Sequence, residues 1–364
     1  MKKTGTADLP LHPGKAPRWL FGRMVKLSGA ITEAIVSEFS HEEFIRRLAD
    51  PYWFQAFTCV IGFDWHSSGT TTVASGALKE AMKERNIGIG VAGGKGKVSR
   101  RAPAEIADIS GAFSLTTKKT ESLRYASRMS AKVDNTALQD GYQLYHHILV
   151  FSEKGDWAVV QQGMSDVQKY ARRYHWMSEN LENFVEEPHT GICTQRTEEK
   201  VLDMTAKASR ECRRISVDIV KDNPVKIRKM LDGQSSILDF REPKTLRMPG
   251  HHHIIDMQRV NLETLQKAYE IQPKNYEELL SVPGMGPKSV RALALVADVI
   301  YGKEPSWKDP ARFSFAHGGK DGVPYPVDRE TYDRSIHVLD SAVRNAKIGS
   351  RDRMQAVRRL QNFV

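Results

Sequence analysis

The chain has 364 residues, with 54 Lys and Arg against 44 Asp and Glu, a formal charge of +10 and a pI near 9.4. That length suits two or three domains with a real core, and a charged fraction of 27% excludes a disordered basic tail. Cys59, Cys193 and Cys212 are far apart with no C-x-x-C pair, which excludes a disulfide framework, a zinc knuckle or a cysteine-held cluster. No apolar run reaches the ~20 residues of a membrane span, and MKKTGTADLPLHPGKAP lacks the apolar stretch of a signal peptide. The expectation is a cytoplasmic protein whose basic surface suits a polyanionic partner.

Helical spacing runs from Trp19 to Glu38 through Leu20, Met24, Leu27, Ile31 and Ile35. A second helix is predicted from His41 to Leu48, stopped by Pro51, and AFTCVIGF is either a buried strand or a core helix. After DWHSSG comes another helix, TTTVASGALKEAMKER, with Ser67, Ser68 or Thr70 available as its N-cap. NIGIGVAGG resembles a short strand entering a glycine-rich loop. YHHILVF and WAVVQQGM read as the two strands of a hairpin turned by SEKGD.

From Thr194 to about Gly233 the spacing of Val201, Met204, Ala208, Ile215 and Ile219 predicts a helical connector. QSSILDFREPKTLRMPGHHHIID, broken by two prolines, is the best domain boundary. The remainder reads as helical apart from the insert KDPARFSFAHGGKDGVPYP. The expected fold is therefore α+β. A mixed α/β catalytic domain with a β-hairpin spans 1–193, a helical connector 194–233, a linker 234–256, and an all-α helix-hairpin-helix domain 257–364.

In LLSVPGMGPKSVRALALVADVIYG, apolar helices flank Gly284-Met285-Gly286, and Pro287 suits the first turn of the second helix. Backbone amides there, with Lys288 and Ser289 following, are placed to contact a phosphate. The stretch resembles the helix-hairpin-helix motif of DNA repair and replication proteins, which implies DNA binding with little sequence preference. It also resembles the (L/V)-P-G-(V/M)-G-x-K hairpin of glycosylase/lyase repair enzymes. That resemblance implies Lys288 as a Schiff-base nucleophile and Asp328 in PYPVDRETYD as its carboxylate. The long interval between the two and the cysteine-free tail depart from that pattern.

Three other stretches carry candidate chemistry. DWHSSG sets Asp64 and His66 two apart, a corner for a divalent metal or a phosphate, or simply a cap and a packed ring. AKVDNTALQDGYQLYHH brings Lys132, Asp134, Asp140, His146 and His147 into one segment, as expected of a metal-dependent phosphodiesterase or of solvated acids beside one core histidine. AGGKGKVSRR fails the P-loop pattern, because Val91 and Val98 stand at required positions. It remains a basic contact loop with Lys95, Lys97, Arg100 and Arg101. QKYARRYHW interleaves Tyr170, Tyr174 and Trp176 with Arg172 and Arg173, which suits either a strand-gripping surface or a core aromatic stripe.

Taken together, GFDWHSSG, AGGKGKVSR, SRMSAKVDNTALQDGYQLYHH, WAVVQQGM, ARRYHW and FAHGGKDGVPYPVDRETYD resemble a prokaryotic domain-of-unknown-function family, family 763. The resemblance implies a hairpin-bearing C-terminal domain and a nuclease role. The leading expectation is a DNA-processing nuclease using Mg2+ or Mn2+, with Asp134, Asp140, Lys132 and His147 catalytic. Asp64, His66, Asp134, Asp140 and His146 would be metal ligands. DNA would be held by Gly284, Met285, Gly286, Lys288, Ser289, Lys95, Lys97, Arg100, Arg101, Arg172 and Arg173. The alternatives are the Lys288/Asp328 lyase and a non-enzymatic DNA-binding protein. DNA, single- or double-stranded, is the expected partner, no membrane is expected, and a homodimer is left open.

Overall fold

The computed structural model describes residues 16–62, 68–165, 169–194, 197–222, 262–311, 313–314, 329–346 and 349–363. Asp64, His66, Asp328 and the whole 234–256 linker lie outside these residues. Four helices open the chain: α1 (Arg18–Glu38), α2 (His41–Ala49), α3 (Pro51–Ile61) and α4 (Gly69–Lys83). Local chemistry marks their ends. Ser40 accepts a hydrogen bond from the Glu43 amide (3.1 Å) at the start of α2. Asp50 accepts from the Tyr52 and Trp53 amides at 2.7 and 3.1 Å, with Pro51 at the first position of α3. The ambiguous run AFTCVIGF is thus helical as far as Ile61, and it is apolar all round because α3 is buried along almost its whole length.

Next come strand β1 (Ile89–Lys95), a 3-10 turn at Gly96–Arg101, and the helices α5 (Ala102–Ala112) and α6 (Thr117–Lys132). A π-helical turn at Val133–Ala137 leads to the short strand β2 (Leu138–Gln139). The expected hairpin is β3 (Gln143–Ser152) and β4 (Trp157–Ser165), followed by β5 (Tyr170–Met177) and β6 (Gly191–Thr194). With β1 at one edge and β8 (Phe313–Ser314) at the other, the sheet order is β1-β3-β4-β5-β6-β8. It is antiparallel except where β8 runs parallel to β6.

The helical connector is shorter than its spacing predicts. Val201 and Met204 flank the short strand β7 (Leu202–Asp203), and among the described residues of this stretch helix α7 begins only at Arg210 and runs to Lys221. The reason is local. Asp203 accepts hydrogen bonds from the Thr205 amide (2.8 Å), the Thr205 hydroxyl (2.6 Å) and the Ala206 amide (3.1 Å), a turn that competes with helix.

The described C-terminal region is helical apart from β8. It holds α8 (Leu262–Ile271), α9 (Tyr276–Ser281), α10 (Pro287–Tyr301), α11 (Arg329–Asn345) and α12 (Ser350–Phe363). The fold is α+β.

The sheet is covered on both faces. Ile148, Val150, Ala158 and Val160 enter one apolar layer with α1–α4, α11 and α12. Their alternates Leu149, Phe151, Val159 and Trp176 enter a second layer with α5–α10. Double coverage explains why YHHILVF is a continuous apolar run rather than an alternating one. No helix among the described residues is long and apolar enough to cross a membrane.

Candidate functional site

The site lies between the Gly96–Arg101 turn that follows β1, helix α6 and strand β3. Glu105 of α5 accepts from the Gly93 amide and from Lys79, both within 2.7 Å, and Lys79 also reaches the Gly93 carbonyl at 2.7 Å. This clasp fixes the end of β1 and directs Lys95, Lys97, Arg100 and Arg101 outward, all exposed. The ammonium of Lys95 stands 5.8 Å from the centre of the Tyr145 ring. Gly93 itself adopts φ +100°, and a Cβ there would lie 2.2 Å from the His147 carbonyl oxygen, so only glycine permits this approach of β1 to β3.

Beneath the turn is a cavity of about 340 Å³ lined by Arg100, Ser127, Arg128, Tyr145, His146 and His147, together with Ser99, Pro103, Ala131 and Leu144. Its lining holds two arginines and two histidines but no carboxylate, which favours an anionic occupant. His146 is 1% exposed, and neither ring nitrogen has a hydrogen-bond partner. Burial, then the neighbouring His147 and Lys95, pushes it down to about 3, so it stays neutral at physiological pH. Burial lowers His147 as well, against the opposing hydrogen bond that it donates to Gln161 and the charge of Asp134.

A directed chain of hydrogen bonds starts at the cavity wall. The Ser127 hydroxyl lies 2.8 Å from His147 Nε2, and His147 Nδ1 lies 3.0 Å from Gln161 Oε1. Gln161 Nε2 donates to Asp134 at 2.6 Å. Because the Gln161 oxygen only accepts, His147 carries its proton on Nδ1, and Nε2 is left to accept from Ser127. Asp134 also accepts from Trp176 Nε1 (2.9 Å) and pairs with His189. His189 in turn lines a second cavity of about 250 Å³ with Asp203, Lys207 and Lys308.

Asp140 belongs to a separate network. It accepts from Arg172 (3.0 Å), the Tyr174 hydroxyl (2.7 Å) and the Tyr142 amide (3.1 Å), and Arg172 also grips Asp309 through both terminal nitrogens. Burial pushes the Asp140 carboxyl up to about 6, against the pull of Arg172 and of these hydrogen bonds. Burial likewise opposes the charge of Arg172, but Asp140 and Asp309 together hold it above its ordinary value.

Both DNA-gripping arginines expected in ARRYHW are therefore corrected. Arg172 and Arg173 are fully buried. Arg173 donates to His175 (2.9 Å) and Gln55 (3.2 Å) beneath the Phe54 ring. They face inward because helices cover both sides of the sheet, so neither guanidinium reaches solvent.

Of the expected catalytic residues, Asp134 and His147 meet through Gln161, whereas Asp140 is spent on Arg172. Lys132 ends α6 half-buried, and burial lowers it. Asp64 and His66 lie outside the described residues, and the described carboxylates of the expected metal set are already engaged by protein donors. The Asp134 oxygens are engaged by three donors, Asp140 by three others, and no group of three or more His, Cys, Asp or Glu among the described residues could hold a metal.

The hairpin between α9 and α10 presents Gly284 and Lys288 to solvent, with Gly286 half-exposed. Gly286 caps α10 without a side-chain bond, which leaves the first-turn amides free of an intrahelical partner. Met285 and Ser289, expected beside DNA, are buried, and the Met285 amide is closed onto the Val282 carbonyl at 3.0 Å. Lys288 is exposed, and Asp328, its expected partner in the lyase reading, lies outside the described residues.

Ser127, Gln161, Arg128 and His189 escape a reading of the motifs. The signal for Gln161 was the polar pair Gln161-Gln162 in the middle of an apolar strand, which must be satisfied if buried. Ser127 has no such local mark, since its partner is twenty residues away on β3.

The fold and site define an α+β protein with an anion-favouring cavity at the edge of a doubly covered antiparallel sheet. The chain belongs to the family described as protein of unknown function (DUF763), whose model matches residues 5–327. No curated protein and no solved structure matches it.

Proposed function

We propose that the protein binds DNA through its phosphate backbone and acts on the phosphodiester bond at the cavity under the Gly96–Arg101 turn. The observation that carries this assignment is the cavity lining: two arginines and no carboxylate, with exposed Lys95, Lys97 and Arg101 in the adjoining turn. Cations grouped on a rigid rim gain affinity by releasing counterions from the nucleic acid. The α9–α10 hairpin, with Gly284 exposed and Lys288 beside free helix-start amides, supports a second backbone contact of the same sequence-independent kind.

The test is fluorescence anisotropy with labelled single-stranded and duplex DNA over a range of salt. Affinity should fall steeply with salt, and Lys97→Ala, Arg100→Ala and Lys288→Ala should each reduce the slope of log K against log salt by about one. Slopes unchanged in all three variants would remove DNA as the partner. Incubating labelled DNA with Mg2+, Mn2+ or EDTA reads cleavage in the same samples, and persistence in EDTA is the expected result, since Asp134 and Asp140 are already engaged by protein donors.

A further inference from the structure

We infer that Ser127 is a nucleophile activated by His147, with Gln161 and Asp134 as positioning residues behind the imidazole. This rests on the phosphodiester assignment for the substrate class, but the nucleophile itself rests on geometry alone. Ser127 lines the cavity, and its Oγ lies 2.8 Å from His147 Nε2. The Nδ1 contact to Gln161 at 3.0 Å assigns the ring proton to the far nitrogen, and the 2.6 Å bond from Gln161 to Asp134 prevents the amide from turning over. Nucleophile, base and orienter thus stand in series, which is the arrangement that activates an otherwise unreactive hydroxyl.

In the first step Ser127 Oγ attacks phosphorus and its proton passes to His147 Nε2. The Oγ–P bond forms and the P–O bond to one sugar oxygen breaks. His147 then returns the proton to that leaving oxygen. In the second step water attacks the phosphoserine, His147 Nε2 takes the water proton, the Oγ–P bond breaks, and the proton goes back to Ser127. The sum is one phosphodiester and one water converted to a phosphomonoester and an alcohol. Arg100 and Arg128, on the same cavity wall, are placed to balance charge on the non-bridging oxygens.

The experiment treats the full-length protein with a biotinylated fluorophosphonate and maps the adduct by peptide mass spectrometry, with DNA affinity measured in parallel. Expected is one label per chain, on Ser127. Its rate should fall on the order of 100-fold in His147→Gln and by less in Gln161→Met. Ser127→Ala should lose the label while still unfolding in one cooperative transition. Ser127→Cys guards against misfolding, because a thiol in the same place should take iodoacetamide faster than the other cysteines do.

Folded wild-type protein that takes no label at Ser127, or takes it equally fast in His147→Gln, overturns the nucleophile even if DNA binds. Labelling of Ser127 in a protein that does not bind DNA supports the nucleophile and overturns its phosphodiester substrate.

Discussion

At the scale of the residue, three buried histidines set the molecule's response to acid. His146, His147 and His175 are all shifted down, chiefly by burial, and His146 reaches about 3 from an ordinary 6.5. An unfolded chain takes up a proton on each near pH 6.5, whereas folded His146 resists until about 3. The unfolded state therefore binds more protons in that window, and stability is complete above pH 6.5 and is lost as the pH falls toward 3. Asp140, pushed up to about 6, acts in the opposite sense between 3.8 and 6, where its contribution falls as the pH rises. Since His146 makes no hydrogen bond, His146→Phe removes its titration without orphaning a partner. Urea unfolding at pH 7, 6, 5 and 4 should show the variant's acid slope flattened by about 1.4 kcal/mol per pH unit. Equal slopes in the two proteins would disprove the neutral, buried state of this ring.

At the scale of the element, the hairpin between α9 and α10 depends on one glycine more than the other. Gly284 holds φ +90°, and a Cβ there would meet the Thr264 hydroxyl at 2.6 Å. Gly286 has φ −121°, and its nearest neighbour would be 3.7 Å away. Gly284→Ala should therefore cost about 1–3 kcal/mol, and Gly286→Ala should leave the denaturation midpoint where it is. Comparable losses in both would mean that the turn is not built as described.

Elements are also where legibility in the sequence divides. The β3–β4 hairpin was readable from its glycine turn and β-branched runs, and α1, α2 and α4 from apolar spacing, although Ser68 stands at the start of α4 without making a cap bond. The AFTCVIGF run could not be resolved alone, because full burial erases the period that separates helix from strand. The Arg172-Arg173 pair misled for the same reason: aromatic and basic residues alternate alike on a nucleic-acid surface and in a core with buried ion pairs. Of the relay, Asp134 and His147 were legible as an acid and a histidine close in sequence. Ser127 and Gln161 were not, since they reach His147 from α6 and β4, a proximity that only the sheet register and helix packing create.

At the scale of the whole molecule, the two apolar layers draw on distant parts of the chain. Leu279, Leu280 and Leu293 of the α9–α10 region join Trp176 and Phe151 in one layer. Leu339, Val343 and Leu360 of α11 and α12 join Phe57 and Ile31 in the other. A chain ending at residue 311 loses α11 and α12 and uncovers the apolar surface of α3. Such a chain should bind the dye ANS strongly, lose near-ultraviolet circular dichroism and elute as aggregate, whereas the full chain should unfold in one transition. A truncated chain that stays monomeric and dye-silent would show that the two helices contribute little to that layer.

Helices near the end of the chain complete a layer begun by its first sixty residues, and this has a consequence during synthesis. α1, α2 and α3 leave the ribosome long before α11 and α12 exist, so Phe57 and Ile31 wait without their final cover. At the usual pace of translation that wait lasts tens of seconds. Contacts spanning some three hundred residues also raise contact order and slow the final collapse. The nascent chain thus presents an apolar surface for chaperones throughout most of its elongation, and its yield should depend on them more than on the stability of the finished fold.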